Sequence, residues 1–427
     1  MMDQAENDYL CQTGEGTPMG NLFRRYWIPF LISSEIEKPD CDPVRVRLMG
    51  EDLIAFRDTD GNIGLIDQHC AHRGVSLWFG RNEECGIRCP YHGWKYDVNG
   101  NCIELPSEAN NPAAMSKMKL KSYPCIEKAG VIWTYMGPPD KKPADPNLEW
   151  TNVPPDNLFV SKRFQECNYL QALEGGLDSS HVTWLHGSEL NNDPLFVGAK
   201  GNRYNQNDLM PQFEVKPFEG GLLIGARRNA DDDKYYWRIT PWIMPWHTLV
   251  PPRGGHPIGG HVWVPIDDHN CWTWSFNYHP RRALTGAERQ AMMDGKGIHA
   301  KEIPGTFMPA ANKRNDYLMD RTAQRAGLTY SGVEGIAMQD ASLQESMGLI
   351  QDRTKEHLCG TDNAVSMARQ YLIKMAKANE NGEELMGLDP AHQHVRSAAY
   401  ELDKDMDFVE GARDGLFAEI GTDPHTV

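Results

Sequence analysis

Cys70-Ala-His72 is followed, after sixteen further residues, by Cys89-Pro-Tyr-His92. This spacing constrains the chain more than any other stretch, because the fold must carry two thiols and two imidazoles to one point. Two thiolates on one iron and two imidazoles on the other are the ligand set of a Rieske [2Fe–2S] centre. Neutral imidazoles replace anionic sulfurs on the second iron, which lifts the potential to roughly −150 to +300 mV. Such a centre suits one-electron delivery to an oxygen-activating site.

The flanks agree with this reading. Residues 65–69 read as a strand into the first pair and 86–88 as a strand into the second, so both pairs fall at loop tips. Trp94, Tyr96 and Val98 then alternate toward Asn99-Gly100, a hairpin signal, and Asp60-Gly61 marks a similar turn before the first pair. Tetrahedral zinc is the competing reading, but structural zinc spacings favour Cys-x2–4-Cys with His-x3–5-His. The other eight cysteines, Cys85 among them, show no disulfide-like spacing and read as reduced thiols of a cytosolic protein.

A chain of 427 residues with 40% hydrophobic content is long enough for two domains, and a mean hydropathy of −0.57 is that of a soluble protein. No run approaches the ~18 apolar residues that would span a bilayer. The first residues have neither a basic start nor an apolar core, so no secretory signal is expected and a cytoplasmic location is. A formal charge of −16 argues against a nucleic-acid partner.

Alternating apolar residues from about 44 to 136 read as a small β domain. Six prolines between 138 and 155 cannot continue a sheet or a helix, and place a boundary there. Beyond it, residues 221–227, 235–239, 261–265 and 271–278 read as antiparallel strands, with a turn at 267–270. Helical periodicity marks 334–350, 363–378 and 395–417. The expected organisation is an N-terminal segment (1–40), a [2Fe–2S] domain (41–140), a proline-rich linker (141–160) and an α+β domain (161–427).

The α+β domain opens with Glu174-Gly-Gly-Leu-Asp178-Ser-Ser-His181-Val-Thr-Trp-Leu-His186. Asp178 and His181, three apart, would share one face of a helix. His186 lies five beyond His181, so a helix carrying both toward one metal must distort or end between them. Two histidines with a carboxylate form the facial triad of non-haem Fe(II) oxygenases. Asp178 is either that carboxylate or a group orienting the imidazole through its other nitrogen, and spacing leaves both open.

With Gly16-Thr-Pro-Met-Gly20, Arg24-Arg-Tyr-Trp27, Cys70-Ala-His72-Arg-Gly74, Cys89-Pro-Tyr-His92-Gly-Trp94 and Asn168 through His181, the chain resembles the Rieske non-haem iron oxygenases, phthalate dioxygenase-like branch, over nearly its whole length. The resemblance implies an all-β Rieske domain followed by a catalytic domain whose antiparallel sheet is covered by helices, a helix-grip (START-like) arrangement. It implies a [2Fe–2S] cluster on Cys70, His72, Cys89 and His92 and mononuclear Fe(II) on His181 and His186. Asp178 becomes the bridge between His181 and a cluster histidine of a neighbouring subunit, corresponding to His92, which requires a homotrimer or a dimer of trimers. The third ligand in this family is a distant helix aspartate, and among Asp340, Asp352 and Asp362 the surroundings of Asp340 resemble the acid-bearing helix.

The implied activity is that of a terminal oxygenase using O2 and electrons from a separate NADH-dependent flavin and iron–sulfur reductase, since no Gly-x-Gly-x-x-Gly fingerprint is present here. Members of the branch act on aromatic carboxylates, by ring cis-dihydroxylation of a phthalate-like acid or by O-demethylation of a methoxylated one. A buried carboxylate demands arginine or several donors. Arg203, Arg227 or Arg228, and Arg238 are candidates, with Ser179 adding a hydrogen bond. The competing class is a Rieske electron carrier without oxygenase chemistry, for which the β domain alone would suffice.

Overall fold

The structure is a computed structural model that describes residues 2–108 and 112–427. The chain forms two compact units, Phe23–Pro143 and a second made of Ala144–Val427 together with the chain up to Leu22. The opening 1–40 stretch, expected as one segment, is therefore divided. Its second half contains Trp27–Ile32, apolar at every position, which pairs antiparallel with Val131–Tyr135 in the first unit. Its first half forms the helix Gln4–Cys11, opened by an Asp3/Glu6 capping box, in the second unit.

The first unit is all β among its described residues, apart from short helical turns. Two four-stranded sheets carry the cysteine–histidine pairs: Val44–Leu48, Glu51–Arg57, Ile63–Asp67 and Ser122–Tyr123 in one, and Arg81–Glu83, Gly86–Arg88, Lys95–Tyr96 and Cys102–Glu104 in the other. The Asn99-Gly100 and Asp60-Gly61 turns form as expected but are longer than two residues. In each an aspartate (Asp97, Asp58) accepts the backbone N–H groups two and four residues on, and the glycine adopts φ of +74° or +87°. Ile54, Phe56, Ile66, Leu77, Ile87 and Tyr96 pack into one core that also contains Cys70 and Cys89.

The second unit is α+β. Its antiparallel sheet has eight strands among the described residues, in the order Leu158–Gln165, Asn270–Tyr278, Ile258–Asp267, His247–Val250, Lys234–Ile243, Gly221–Asn229 and Gln212–Phe218, with Ala398–Asp403 also paired to Lys234–Ile243. Helix Tyr169–Leu177 lies on the Ile258–Asp267 and His247–Val250 strands, and helix Ile336–Ser346 packs on that helix.

The helical expectation for 395–417 is overturned. Lys234–Ile239 offers an open backbone ladder there, and Ala398–Asp403 fills it as a strand, leaving only the short helices Phe408–Gly411 and Arg413–Leu416 behind it. Tertiary pairing outweighs a local apolar periodicity that fits either state.

Candidate metal centre and substrate cavity

Glu174-Gly175-Gly176 explains how the site helix is seated. A Cβ on Gly176 would stand 2.2 Å from the Trp263 ring, and one on Gly175 would stand 2.3 Å from Gln344 Nε2. Only glycine lets this helix press against the sheet and against helix Ile336–Ser346 together. The helix ends at Leu177, so Asp178 is its extended C-cap and not a helical residue, as the three-residue spacing to His181 had suggested. Asp178 instead closes a turn. Its Oδ1 accepts the Ser180 N–H at 2.6 Å and its Oδ2 lies 3.3 Å from both the His181 N–H and Nδ1. One helical turn, His181–Trp184, follows and stops, which brings His186 back toward His181.

Asp340 arrives from helix Ile336–Ser346. Its Oδ1 lies 3.1 Å from His186 Nε2 and 3.5 Å from His181 Nε2, and the three donor atoms all fall within 4.8 Å of one another. Both imidazoles are held from behind: Asp178 faces His181 Nδ1, and Gln339 Oε1 lies 2.7 Å from His186 Nδ1. Each ring thereby keeps its proton on Nδ1 and turns Nε2 to the shared point. Burial raises the Asp340 carboxyl, but His186 and His181 outweigh it and bring it down to about 2. Two imidazole nitrogens and an ionised carboxylate, with the rest of the cavity open, fit a facial-triad metal.

Gln339 was missed by sequence reasoning. It is wholly buried, and its amide also donates to Val333 O at 3.1 Å and Glu189 Oε1 at 3.3 Å, so its oxygen is fixed toward His186. Gln339→Leu is expected to weaken iron binding about 10-fold with the fold intact. Titration of metal-free protein with Fe(II), read against the wild type, checks this.

In the first unit the two ligand loops repeat one geometry. Cys70 N–H donates to Val75 O and Cys89 N–H to Trp94 O; Gly74 and Gly93, both at positive φ, donate back to the Cys70 and Cys89 carbonyls at 3.0 Å. Both thiols are buried, His72 Nδ1 lies 3.1 Å from His92 Nδ1, and the His72 ring stacks on Trp94 at 4.5 Å. Two sulfurs within the core and two imidazole nitrogens facing each other at the loop tips fit a cluster with split ligands.

Asp178, Ser179, His181, His186 and Asp340 line one cavity. Arg238 also lines it, with Nη1 3.4 Å from Ser179 Oγ. Arg228 stands behind, bonding Ser179 O at 3.2 Å and Thr183 Oγ1 at 3.0 Å. Arg203 and Arg227 do not line it, which corrects their candidacy. Arg203 is exposed and paired to Asp231. Arg227 pairs across the ladder with Trp237, whose ring stacks on Phe408, and its own guanidinium sits over Tyr235, so strand alternation turns it to the other face.

Arg163, Arg253 and His261 line the cavity as well and were not singled out from sequence. For Arg163 a signal was present, since Ser161, Arg163 and Gln165 alternate with Lys162 and Phe164 as one polar face of a strand.

Residues 26–124 match the Rieske [2Fe-2S] domain family and residues 134–411 the family described as LigXa C-terminal domain like. The chain is 36% identical to the 3-chlorobenzoate-3,4-dioxygenase oxygenase subunit of Comamonas testosteroni, over 94% of this chain and 96% of that one. It is 34% identical to the phthalate 4,5-dioxygenase oxygenase subunit of Pseudomonas putida (96% and 94%) and 30% identical to the 5,5'-dehydrodivanillate O-demethylase oxygenase subunit of a Sphingobium strain (92% and 85%). A solved dicamba monooxygenase shares the fold at 18% identity with a TM-score of 0.57, over 84% of this chain and 98% of that one.

No helix among the described residues is long and apolar enough to cross a membrane. The cofactors are a Rieske [2Fe–2S] cluster and a mononuclear iron ion. Both ligand motifs, the two matched domains and relatives aligned nearly end to end place this chain among the Rieske non-haem iron oxygenases, as an oxygenase subunit.

Proposed function

We propose that this oxygenase subunit acts on an aromatic carboxylate, by cis-dihydroxylation of the ring of a phthalate-like acid. The observation that carries the reading is a cavity beside His181, His186 and Asp340 into which buried guanidiniums project without an acid to neutralise them. Among the described residues no carboxylate lies within ion-pair distance of Arg238 or Arg253, and Arg238 Nε and Arg253 Nη2 have no hydrogen-bond partner. Unpaired buried cations are costly, and an incoming carboxylate offsets that cost with charge-assisted bonds.

In this reading His181, His186 and Asp340 hold the iron, and Cys70, His72, Cys89 and His92 hold the cluster. With electrons from the cluster, the bound iron supplies dioxygen activation at the open face of the triad. Arg238 and Ser179 orient the substrate carboxylate so that the ring, not the acid, faces the metal. Asp178 accepts the His181 Nδ1 proton and links it to His92 of the partner subunit, which makes the functional unit a homotrimer or a dimer of trimers. A separate NADH-dependent reductase delivers the electrons, and a cytoplasmic location accords with that supply. A carrier without oxygenase chemistry needs no triad of this kind.

The test is product mass after oxygen is admitted to reduced, iron-loaded protein with phthalate isomers, benzoates and methoxybenzoates. Ring dihydroxylation consumes O2, two electrons and two protons and adds two oxygens and two hydrogens to the substrate. Similarity to the dehydrodivanillate O-demethylase subunit favours a second reading, in which the same inputs give a phenol, formaldehyde and water. A product lacking a methyl group would move the assignment there.

A further inference from the structure

Arg163 lines the cavity from a different strand than Arg238. The two lie on strands Leu158–Gln165 and Lys234–Ile243, with three strands between them in the sheet order. Both side chains nevertheless line the same cavity.

The Arg163 end is built from the sheet. Register puts Ser161 and His261 opposite Ser275, and Arg163 opposite Thr273. Ser275 Oγ lies 3.2 Å from His261 Nδ1 and accepts from Arg163 Nη1 at 3.5 Å. Arg163 is 4% exposed, its Nε has no partner, and among the described residues no carboxylate lies within ion-pair distance of it. Burial depresses the neighbouring His261 to about 3, so its imidazole is neutral and the guanidinium carries the only positive charge of the group. A guanidinium with most of its five donors uncommitted, buried and facing a cavity, calls for an anion.

We infer that Arg163, positioned by Ser275 and flanked by His261, is a second anion subsite that receives a second acidic substituent of the substrate, separate from Arg238, Arg253 and Ser179. This rests on the aromatic-carboxylate reading above. It adds a specificity rule: the enzyme distinguishes a diacid from a monoacid through Arg163, and the first carboxylate is held elsewhere.

The test is anaerobic calorimetric binding of benzoate, phthalate, isophthalate and terephthalate to cluster- and iron-loaded protein, for wild type, Arg163→Gln, Arg163→Lys and Arg238→Gln. Wild type is expected to bind one of the diacids at least about 10-fold more tightly than benzoate. Arg163→Gln should lose about 10–100-fold on that diacid and under about 2-fold on benzoate, with iron content unchanged. Arg163→Lys should fall between, and Arg238→Gln should weaken both ligands. Equal losses on benzoate and diacid, or loss of iron from Arg163→Gln, would overturn the subsite and leave the aromatic-acid function standing. Failure of wild type to bind any of the four acids would instead remove the aromatic-carboxylate reading, and the subsite with it.

Discussion

Asp178→Asn is expected to retain both metal centres and to lose turnover on the order of 100-fold or more. Asp178 contacts His181 through Nδ1, on the side of the ring away from Asp340, so its charge bears on the imidazole without completing the triad. Burial raises the Asp178 carboxyl, and the bond and charge of His181, with the backbone N–H groups of Ser180 and His181, bring it below its ordinary value. An asparagine oxygen still accepts the Nδ1 proton, so His181 keeps Nε2 for the metal. What disappears is the negative charge along the path proposed between the centres. Iron content, visible absorbance of the cluster and single-turnover product yield separate the outcomes. Loss of iron would make Asp178 a ligand and displace Asp340 from that role.

Glu174→Ala is expected to destabilise the catalytic unit by about 3–5 kcal/mol. The Glu174 carboxylate accepts from Arg369 Nε at 2.7 Å and Arg353 Nη2 at 3.0 Å, and all three side chains are nine-tenths buried or more. Arg353 continues to Asn7 Oδ1 and Cys11 Sγ on the N-terminal helix, and Arg369 to Glu356. Removing the acid leaves the buried Arg353 guanidinium without a carboxylate, and Arg369 with Glu356 alone, beneath the helix that presents Asp178. Burial raises the Glu174 carboxyl, and Arg353 and Arg369 outweigh it, so it titrates below its unfolded value near 4.5. Its contribution is therefore complete above about pH 4.5 and is lost as pH falls through the lower folded value. Denaturant midpoints by tryptophan fluorescence, at neutral pH and across the acid limb, check both the magnitude and the sign. A midpoint for Glu174→Ala equal to wild type would show the triad to be replaceable.

Residues close in sequence were read well and residues brought together by folding were not. The cluster ligands sit in two tetrapeptide-scale loops with positive-φ glycines, and His181 and His186 lie within one turn and a half of chain, so their chemistry is a matter of local spacing. Asp340 came only by resemblance, since spacing alone cannot say which distant helix meets His181. The 395–417 stretch shows the same limit in the fold: Ala398, Ala399 and Leu402 suit a helical stripe, and only the open edge of Lys234–Ile243 makes them a strand.

The arginines make the division sharpest. Alternation along a strand assigns Arg227 and Arg228 to opposite faces, but nothing within the strand says which face is the cavity. The sequence by itself determined the cluster-binding chemistry and the histidine pair of the second site, because their spacing is local and few donor sets satisfy it, whereas the carboxylate that completes the second site is brought in by the fold. Only the tertiary structure decided that Arg163, Arg238 and Arg253 line the cavity while Arg203 and Arg227 do not. That outcome depends on which sheet face the glycine-seated helix covers, a property of packing among residues far apart in the chain.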